Sequence, residues 1–585
     1  MLNDYCYGFV CFVPLNANAP KFFGFSEFLA GLALMVLAWT IADVRYRFRV
    51  RTAPLPLSEI TFIVVGAVGF LTLLTDLWRA EQWLVPRGNL LTPSVWQAIL
   101  GGLFLLTFLI WAWFAFMRPP IYGKGNTKRY AQVLYQAILK GSSSELSVIA
   151  NEFARSARAL VHYATVKDEK KKFLKKEEKT NETLKNRPKV TAYADDILLL
   201  IADKRFCRSI VESSPGTALA IFHEIGETKK YKIQIEVFAK NIVDEALANK
   251  DSFLFHETEI YESGLIGYHK PLSQAMFSNF RMVEDIGTLL DPNIWEKQKW
   301  DAAQWRAYCR IVLITFRDYV QQGFGGHSFV LLRAKGYIEH AALDLYKIDG
   351  LSDIALNNDV QERLRVIVQF VKDAVEILDK KGVPEHLRLR VREKHGVGTT
   401  FYDYLAEMIF EIIFCASAVK SPVDLCWWIQ HNSVWSEFFN FGKGDRAAAK
   451  VVQFKVRRLL YDEVILMKRF PNFKGARILR FCLHVMGLCL TNKDYDRDSK
   501  ALQRVILSWT KKNYAWLHSY NPRVAEACLA EGITYEGGNL RLVKTYPAED
   551  LRREPEYIYF KVDPPPPDEV KLKNGDSVLE KENSI

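Results

Sequence analysis

His223, Glu224 and Glu227 are the residues whose types and spacing come nearest to a metal site in this sequence. On a helix, His223 and Glu227 stand about one turn apart, so imidazole and carboxylate could reach one ion, as the ligands of a hydrolytic zinc do. The second histidine of H-E-x-x-H is missing, and the pairs His256 with Glu257 and Glu339 with His340 are isolated along the chain. A membrane-bound metal-dependent hydrolase is therefore an alternative rather than the leading expectation. No cofactor is predicted: G-x-x-x-x-G-K-[ST] is absent, residues 323–326 (GFGG) lack a strand-to-helix setting, and the HGVG at 395–398 has no G-x-S-x-G serine to serve.

Residues 443–480 form the sharpest charge feature, with eleven basic and three acidic side chains. If 446–468 is one helix, Arg446, Lys450, Arg457 and Lys468 fall on a narrow stripe, because their offsets nearly complete whole turns. Such a stripe suits a membrane surface or another anion. A merely solvated basic face is the leading reading, and nucleic acid, which would need aromatic or polar base contacts beside the stripe, is a weaker one than the membrane surface. The aromatic group Trp427, Trp428, Trp435, Phe438, Phe439 and Phe441 reads as a core seam, with a binding platform as the alternative. Nine cysteines without a Cys-x-x-Cys pair signal neither zinc nor a disulfide framework. Cys482 and Cys489, seven apart, read as small buried hydrophobes on one helical face.

The elements that position these residues begin with a membrane segment. Three runs are long and apolar enough to cross about 30 Å of hydrocarbon: 25–44 (FSEFLAGLALMVLAWTIADV), 60–78 (ITFIVVGAVGFLTLLTDLW) and 97–117 (QAILGGLFLLTFLIWAWFAFM). Arg45, Arg47, Arg49 and Arg51 follow the first, and Arg118, Lys124, Lys128 and Arg129 follow the third. The second loop has Arg79 and Arg87 offset by Glu81. Positive loops stay inside, so the N-terminus is expected outside and the chain from about 118 onward in the cytoplasm of a multi-pass plasma (inner) membrane protein. Trp78, Trp83 and Trp96 would mark the outer interface, and Trp39, Trp111 and Trp113 the inner one. Asp76 sits about one turn from the outer boundary, where a carboxylate can reach water. Gly66 with Gly69, and Gly101 with Gly102, offer surfaces for close helix packing. Cys6 and Cys11 precede the first span on the outer side, either bridged or free.

The expected fold is mainly α: three N-terminal transmembrane helices followed by a large cytosolic all-α domain with a small C-terminal β element. The divisions are an external segment (1–24), the spans (25–117), a juxtamembrane helical and charged linker region (118–189), the helical domain (190–530), a β-containing cap (531–562) and a disordered tail (563–585). Ser142 with Glu145, and Thr400 with Asp403, are capping-box starts, and apolar residues recur at helical spacing over 302–321, 360–378, 401–419, 446–467 and 476–490. Residues 252–271 read as a loop or hairpin, and 533–536, 540–546 and 557–562 as strands. Residues 167–189 hold ten basic and five acidic side chains and read as a solvated element. The net charge of +11 favours an anionic neighbour, for which the lipid bilayer suffices. The expected function is a membrane-anchored helical scaffold or sensor that binds a cytosolic protein partner or its own copies. A third possibility is an oligomeric pore or effector lined by Gly66, Gly69, Thr72 and Thr75.

Overall fold

A computed structural model describes residues 5–7, 10–15, 21–41, 43–86, 92–167, 188–259, 270–293, 297–323, 327–351, 358–383, 400–439, 446–490, 497–546 and 554–565. The chain is mainly helical with few strands, and it divides into two units, residues 1–246 with 251–253, and residues 247–250 with 254–585. The charged stretch 168–187, the glycines Gly264 and Gly267, the HGVG segment, Phe441 and the tail from 566 lie outside the described residues.

In the first unit, α1 (Phe25–Ile41), α3 (Leu57–Ala80) and α4 (Pro93–Ala112, prolonged by a π-helical turn Trp113–Met117) form an apolar bundle. Phe28, Met35, Val65, Val68 and Leu100 make its buried core. Much of the rest is turned outward: Phe62 is 76% exposed and Phe70 65%. That is the inverse of a water-soluble bundle, whose apolar stripe faces inward.

Two helices, Leu57–Ala80 and the continuous Pro93–Met117, are long and apolar enough to cross a membrane. The expected first span, 25–44, differs. Its helix ends at Ile41 after 17 residues, and a second helix, α2 (Val44–Thr52), sets off at 105°. The physical reason lies in Asp43 and the arginines. Asp43 is the N-cap residue of α2, its carbonyl accepting from the amides of Tyr46 and Arg47, and four guanidiniums in nine residues could not continue an apolar helix.

The loops at one end of the bundle are joined. Strands β1 (Tyr5–Tyr7), β2 (Val10–Pro14) and β3 (Leu84–Pro86) form an antiparallel sheet in that order, with Cys6 opposite Cys11 in register. Beside it the Phe22 amide donates to Gln97 Oε1 (2.9 Å) and the Phe25 amide to Asp76 Oδ2 (3.0 Å), while Lys21 Nζ lies 3.6 Å from Asp76. Asp76 thus ties the start of α1 to the end of α3.

Among the described residues this unit also holds α5 (Thr127–Lys140), α6 (Ser143–Phe153), α7 (Ala157–Tyr163), α8 (Lys189–Leu200), α9 (Lys204–Ser213), α10 (Pro215–Thr228) and most of α11 (Glu236–Ala248). Ser142 and Glu145 make the reciprocal capping box that starts α6. A 3₁₀ turn at Ala154–Ser156 divides the helical run beyond it into α6 and α7. Tyr130, Phe153, Phe206 and Phe222 fill the interior, each contributing about 1.5–3 kcal/mol by leaving water.

The second unit contains α12 (Phe253–Glu259), α13 (Pro271–Phe277), α14 (Phe280–Ile286), α15 (Ala302–Gln321), α16 (Phe329–His340), α17 (Asp359–Lys381), α18 (Phe401–Ala416), α19 (Val423–Trp427), α20 (Ser436–Phe439), α21 (Ala447–Leu466), α22 (Phe473–Met486), α23 (Arg497–Tyr520) and α24 (Pro522–Ala527). α15 and α17 pack along each other, and the Asp359 carboxylate accepts from the Ala302 amide at the start of α15. The box of Thr400 and Asp403 opens α18, and Lys455 of α21 pairs with the same aspartate. The helix expected over 476–490 ends at Met486, where Gly487 takes φ +73°. Cys489 is therefore exposed beyond the helix, while Cys482 is buried within it. Where a loop or hairpin was expected at 252–271, α12 is helical over Phe253–Glu259. The late strands are present: β4 (Ile533–Glu536), β5 (Arg541–Tyr546) and β6 (Glu556–Lys561) form an antiparallel meander.

Candidate functional site

The expected metal residues share the outer part of α10. His223 and Glu227 are exposed, and half-buried Glu224 lies 3.7 Å from Arg158. Among the described residues no group of three histidine, cysteine, aspartate or glutamate side chains is placed to hold an ion.

The expected basic stripe is broken. Arg446, Lys450 and Lys468 are exposed, but Arg457 is 7% exposed, stacked over Phe439 at 5.3 Å with Nη2 3.4 Å from Ser499 Oγ. It adjoins the buried face of Val452, Val456 and Leu460, so drift about the helix axis carries it inward. The aromatic group divides: Trp435, Phe438 and Phe439 are core, whereas Trp427 and Trp428 stay partly exposed, Trp427 stacking on His431 at 4.0 Å. Of the positions a pore would need, Gly69 lies beneath the Phe28 ring, Thr72 is buried, and Thr75 accepts from Trp96 Nε1; only Gly66 opens outward.

Two arrangements not foreseen from the sequence stand out. The first joins the apolar bundle to the helices beyond it. Arg49, 7% exposed, makes a bidentate pair with Glu152 of α6 (Nε to Oε2 2.8 Å, Nη2 to Oε1 2.7 Å) and gives Nη1 to the Ala115 carbonyl at the end of α4 (2.9 Å). Arg45 approaches the same carboxylate at 3.5 Å. Nearby, Asn126 Nδ2 donates to the Thr52 carbonyl (2.8 Å) and Arg129 Nη1 to that of Ala53 (2.6 Å). One turn apart on the other face of α2, Arg47 and Arg51 are exposed.

The second is a cavity of about 510 Å³ in the second unit, between the segment that follows α18, α19 with the π-helical turn after it, α22, α23, α24 and β4. Two of its lining groups are buried and incompletely bonded. Arg480 is 4% exposed; its Nη2 donates to the Ser417 carbonyl, its Nε has no partner, and among the described residues no carboxylate forms an ion pair with it, although the charge of Asp349 acts on it. Burial and the neighbouring Arg477 push the guanidinium below its usual range. Gln430 is 1% exposed; its amide donates to the Val419 carbonyl at 2.8 Å, which fixes its orientation and leaves Oε1 unbonded. The wall is held rigid: Asp349 Oδ1 accepts from the amides of Lys420 and Ser421, and Tyr514 Oη donates to the Ala525 carbonyl. His518 and Tyr535 lie against each other at 4.9 Å, and Glu526 and Glu531 are exposed among the lining residues.

Arg480 is one of the eleven cations in 443–480, and nothing in its spacing separates it from the solvated ones. No protein-family model, curated protein or solved structure matches this chain.

Proposed function

We propose that the chain is a membrane-anchored helical scaffold or sensor, in which α1, α3 and α4 cross the bilayer and the helices from α5 onward lie in the cytoplasm. The observation that carries this reading is the buried Arg49–Glu152 pair, which makes the first loop part of the packing of the helices beyond the bundle. A change in tilt or spacing of α1 and α3 would have to move α2, and α2 cannot move without straining α6. That is the coupling a sensor requires.

The same contacts favour three crossings. The start of α1 is tied to Asp76 and Gln97 at one end of the bundle, and α2 to Ala115 and Glu152 at the other. A 17-residue helix reaches about 26 Å at 1.5 Å per residue, close to the hydrocarbon thickness. Exposed Arg47, Arg51, Arg118, Lys124 and Lys128 gather at the α2 end, which the positive-inside rule assigns to the cytoplasm.

The test is alkaline carbonate extraction of native membranes, followed by affinity purification of the full chain in mild detergent and mass spectrometry of what it retains. Retention in the pellet with a stoichiometric protein partner is expected. Release by carbonate, or a bare monomer, would contradict the proposal. A homo-oligomer that conducts ions would replace it with the pore.

A further inference from the structure

We propose that the turn between α21 and α22 docks on an anionic bilayer surface, with Phe470 and Phe473 entering the boundary between headgroups and acyl chains while Lys468 and Arg469 meet the lipid anions. On this one short turn Leu466, Phe470 and Phe473 are 46%, 66% and 57% exposed, and the two cations are exposed as well. The surface belongs to the second unit and does not depend on the spans.

The turn is built to hold its rings out. Met467 is fully buried and packs on Gly475 of α22, where a Cβ would stand 2.4 Å from Met467 Cγ, so the end of α21 is pinned against the start of α22. Asn472 caps α22 by accepting from the Gly475 amide (2.7 Å), and its Nδ2 donates to the Phe470 carbonyl (2.9 Å). Phe470 is thereby left on the turn and Phe473 at the first position of α22. Large apolar side chains gathered at one exposed place mark an interaction surface. The charge around them selects its partner. No aspartate or glutamate occurs between Glu463 and Asp494, and Lys468 and Arg469 form no ion pair with a described residue. Two neighbouring carboxylates are engaged, Asp462 with Arg458 and Glu411 with Lys474, each at 3.0 Å, and half-buried Glu463 offsets only one of the two free cations. Of the four cations expected to form a stripe, Lys468 alone belongs to this tip, beyond the end of α21. Rings flanked by unpaired cations match a lipid interface, where apolar side chains enter the acyl boundary and cations stay with anionic headgroups. A helical tip also suits a fluid that deforms around it, whereas a protein partner would have to supply a matching groove and two adjacent acceptors.

The experiment uses the full chain with Cys489→Ser and with Phe470→Cys carrying a polarity-sensitive fluorophore, the parent's own labelling subtracted. It is held in nanodiscs of phosphatidylcholine, or of phosphatidylcholine with phosphatidylserine, and vesicles of either composition are then added. Where phosphatidylserine is present, the emission should shift to the blue and be quenched by spin-labelled acyl chains. Quenching from the disc identifies the chain's own bilayer as the docking surface, and quenching from the vesicles a second one. Lys468→Gln with Arg469→Gln should lower the docked-to-free ratio about tenfold or more, and Phe473→Ser about tenfold. All these side chains are at least partly exposed, so thermal unfolding should stay at the parent's value. A chain that stays out of the discs would count against the spans alone, because the vesicles still read the turn. No quenching from either bilayer, an equal response without phosphatidylserine, or parental docking in both variants would overturn the assignment. So would a blue shift that appears only with cytosolic extract, which would make the partner a protein.

Discussion

Arg49 and Arg457 each belong to a run of basic residues, yet both are buried, Arg49 against a carboxylate 103 positions away and Arg457 over an aromatic ring. A one-dimensional pattern carries the charge of a segment but not its partner, which is why the four arginines after the first apolar helix read only as a topology signal. The unbonded Nε of Arg480 was equally invisible, because an unmet hydrogen bond is a property of packing. The Arg49–Glu152 pair yields a prediction at this scale. Glu152→Gln should destabilise the detergent-solubilised protein by about 3–5 kcal/mol, because it leaves a buried guanidinium uncompensated, while Arg49→Met with Glu152→Met should lose much less. Thermal unfolding of the two singles and the double decides it, and simple additivity would contradict the pairing. His484 supplies a second. It is 4% exposed with an unbonded Nε2, and burial first, then Lys544, His431 and Arg480, pushes its pKa down to about 4. Between that value and about 6.5 the unfolded chain binds the proton more readily than the folded one, so stability should fall as the pH drops through this window. The loss traceable to this group, at most about 3 kcal/mol, should disappear in His484→Phe when both proteins are unfolded across that range.

At the scale of elements, local chemistry was the more legible part. The boxes at Ser142 and Thr400 start helices where the spacing places them, and the late meander follows the alternation of 533–546. Those signals are local, each set by a few neighbouring residues. Ends governed by tertiary contacts were less readable. The first apolar helix stops at Ile41 because the arginines of α2 have a polar place to go, namely Glu152 and the Ala115 carbonyl, and composition alone cannot reveal that place. The paired glycines of the bundle also resolve into unlike positions. A Cβ on Gly69 would stand 2.6 Å from the Phe28 ring, and one on Gly66 would meet nothing within 4 Å. Gly69→Val should therefore force α1 away from α3 at about 1–3 kcal/mol, and Gly66→Val should leave thermal stability near the parent's. Equal effects would mean that α1 does not pack on α3 through that face.

For the whole molecule, apolar content and charge asymmetry made a membrane-anchored helical protein the natural reading, and two helices long and apolar enough to cross are present. What the sequence could not convey is how the first apolar helix ends, because that depends on contacts of α2 with residues 66 to 103 positions away. The proposed topology places the two ends of the bundle on opposite sides of the membrane. Single cysteines at Lys21, Arg47, Glu81 and Lys128, all exposed, sample both ends. With Cys489 replaced by serine and the parent's own labelling subtracted, sealed right-side-out vesicles treated with an impermeant maleimide give the direct measurement. Lys21→Cys and Glu81→Cys should react from outside, and Arg47→Cys and Lys128→Cys only after permeabilisation. Labelling of all four from one side, or of Lys21→Cys and Arg47→Cys from the same side, would contradict that topology.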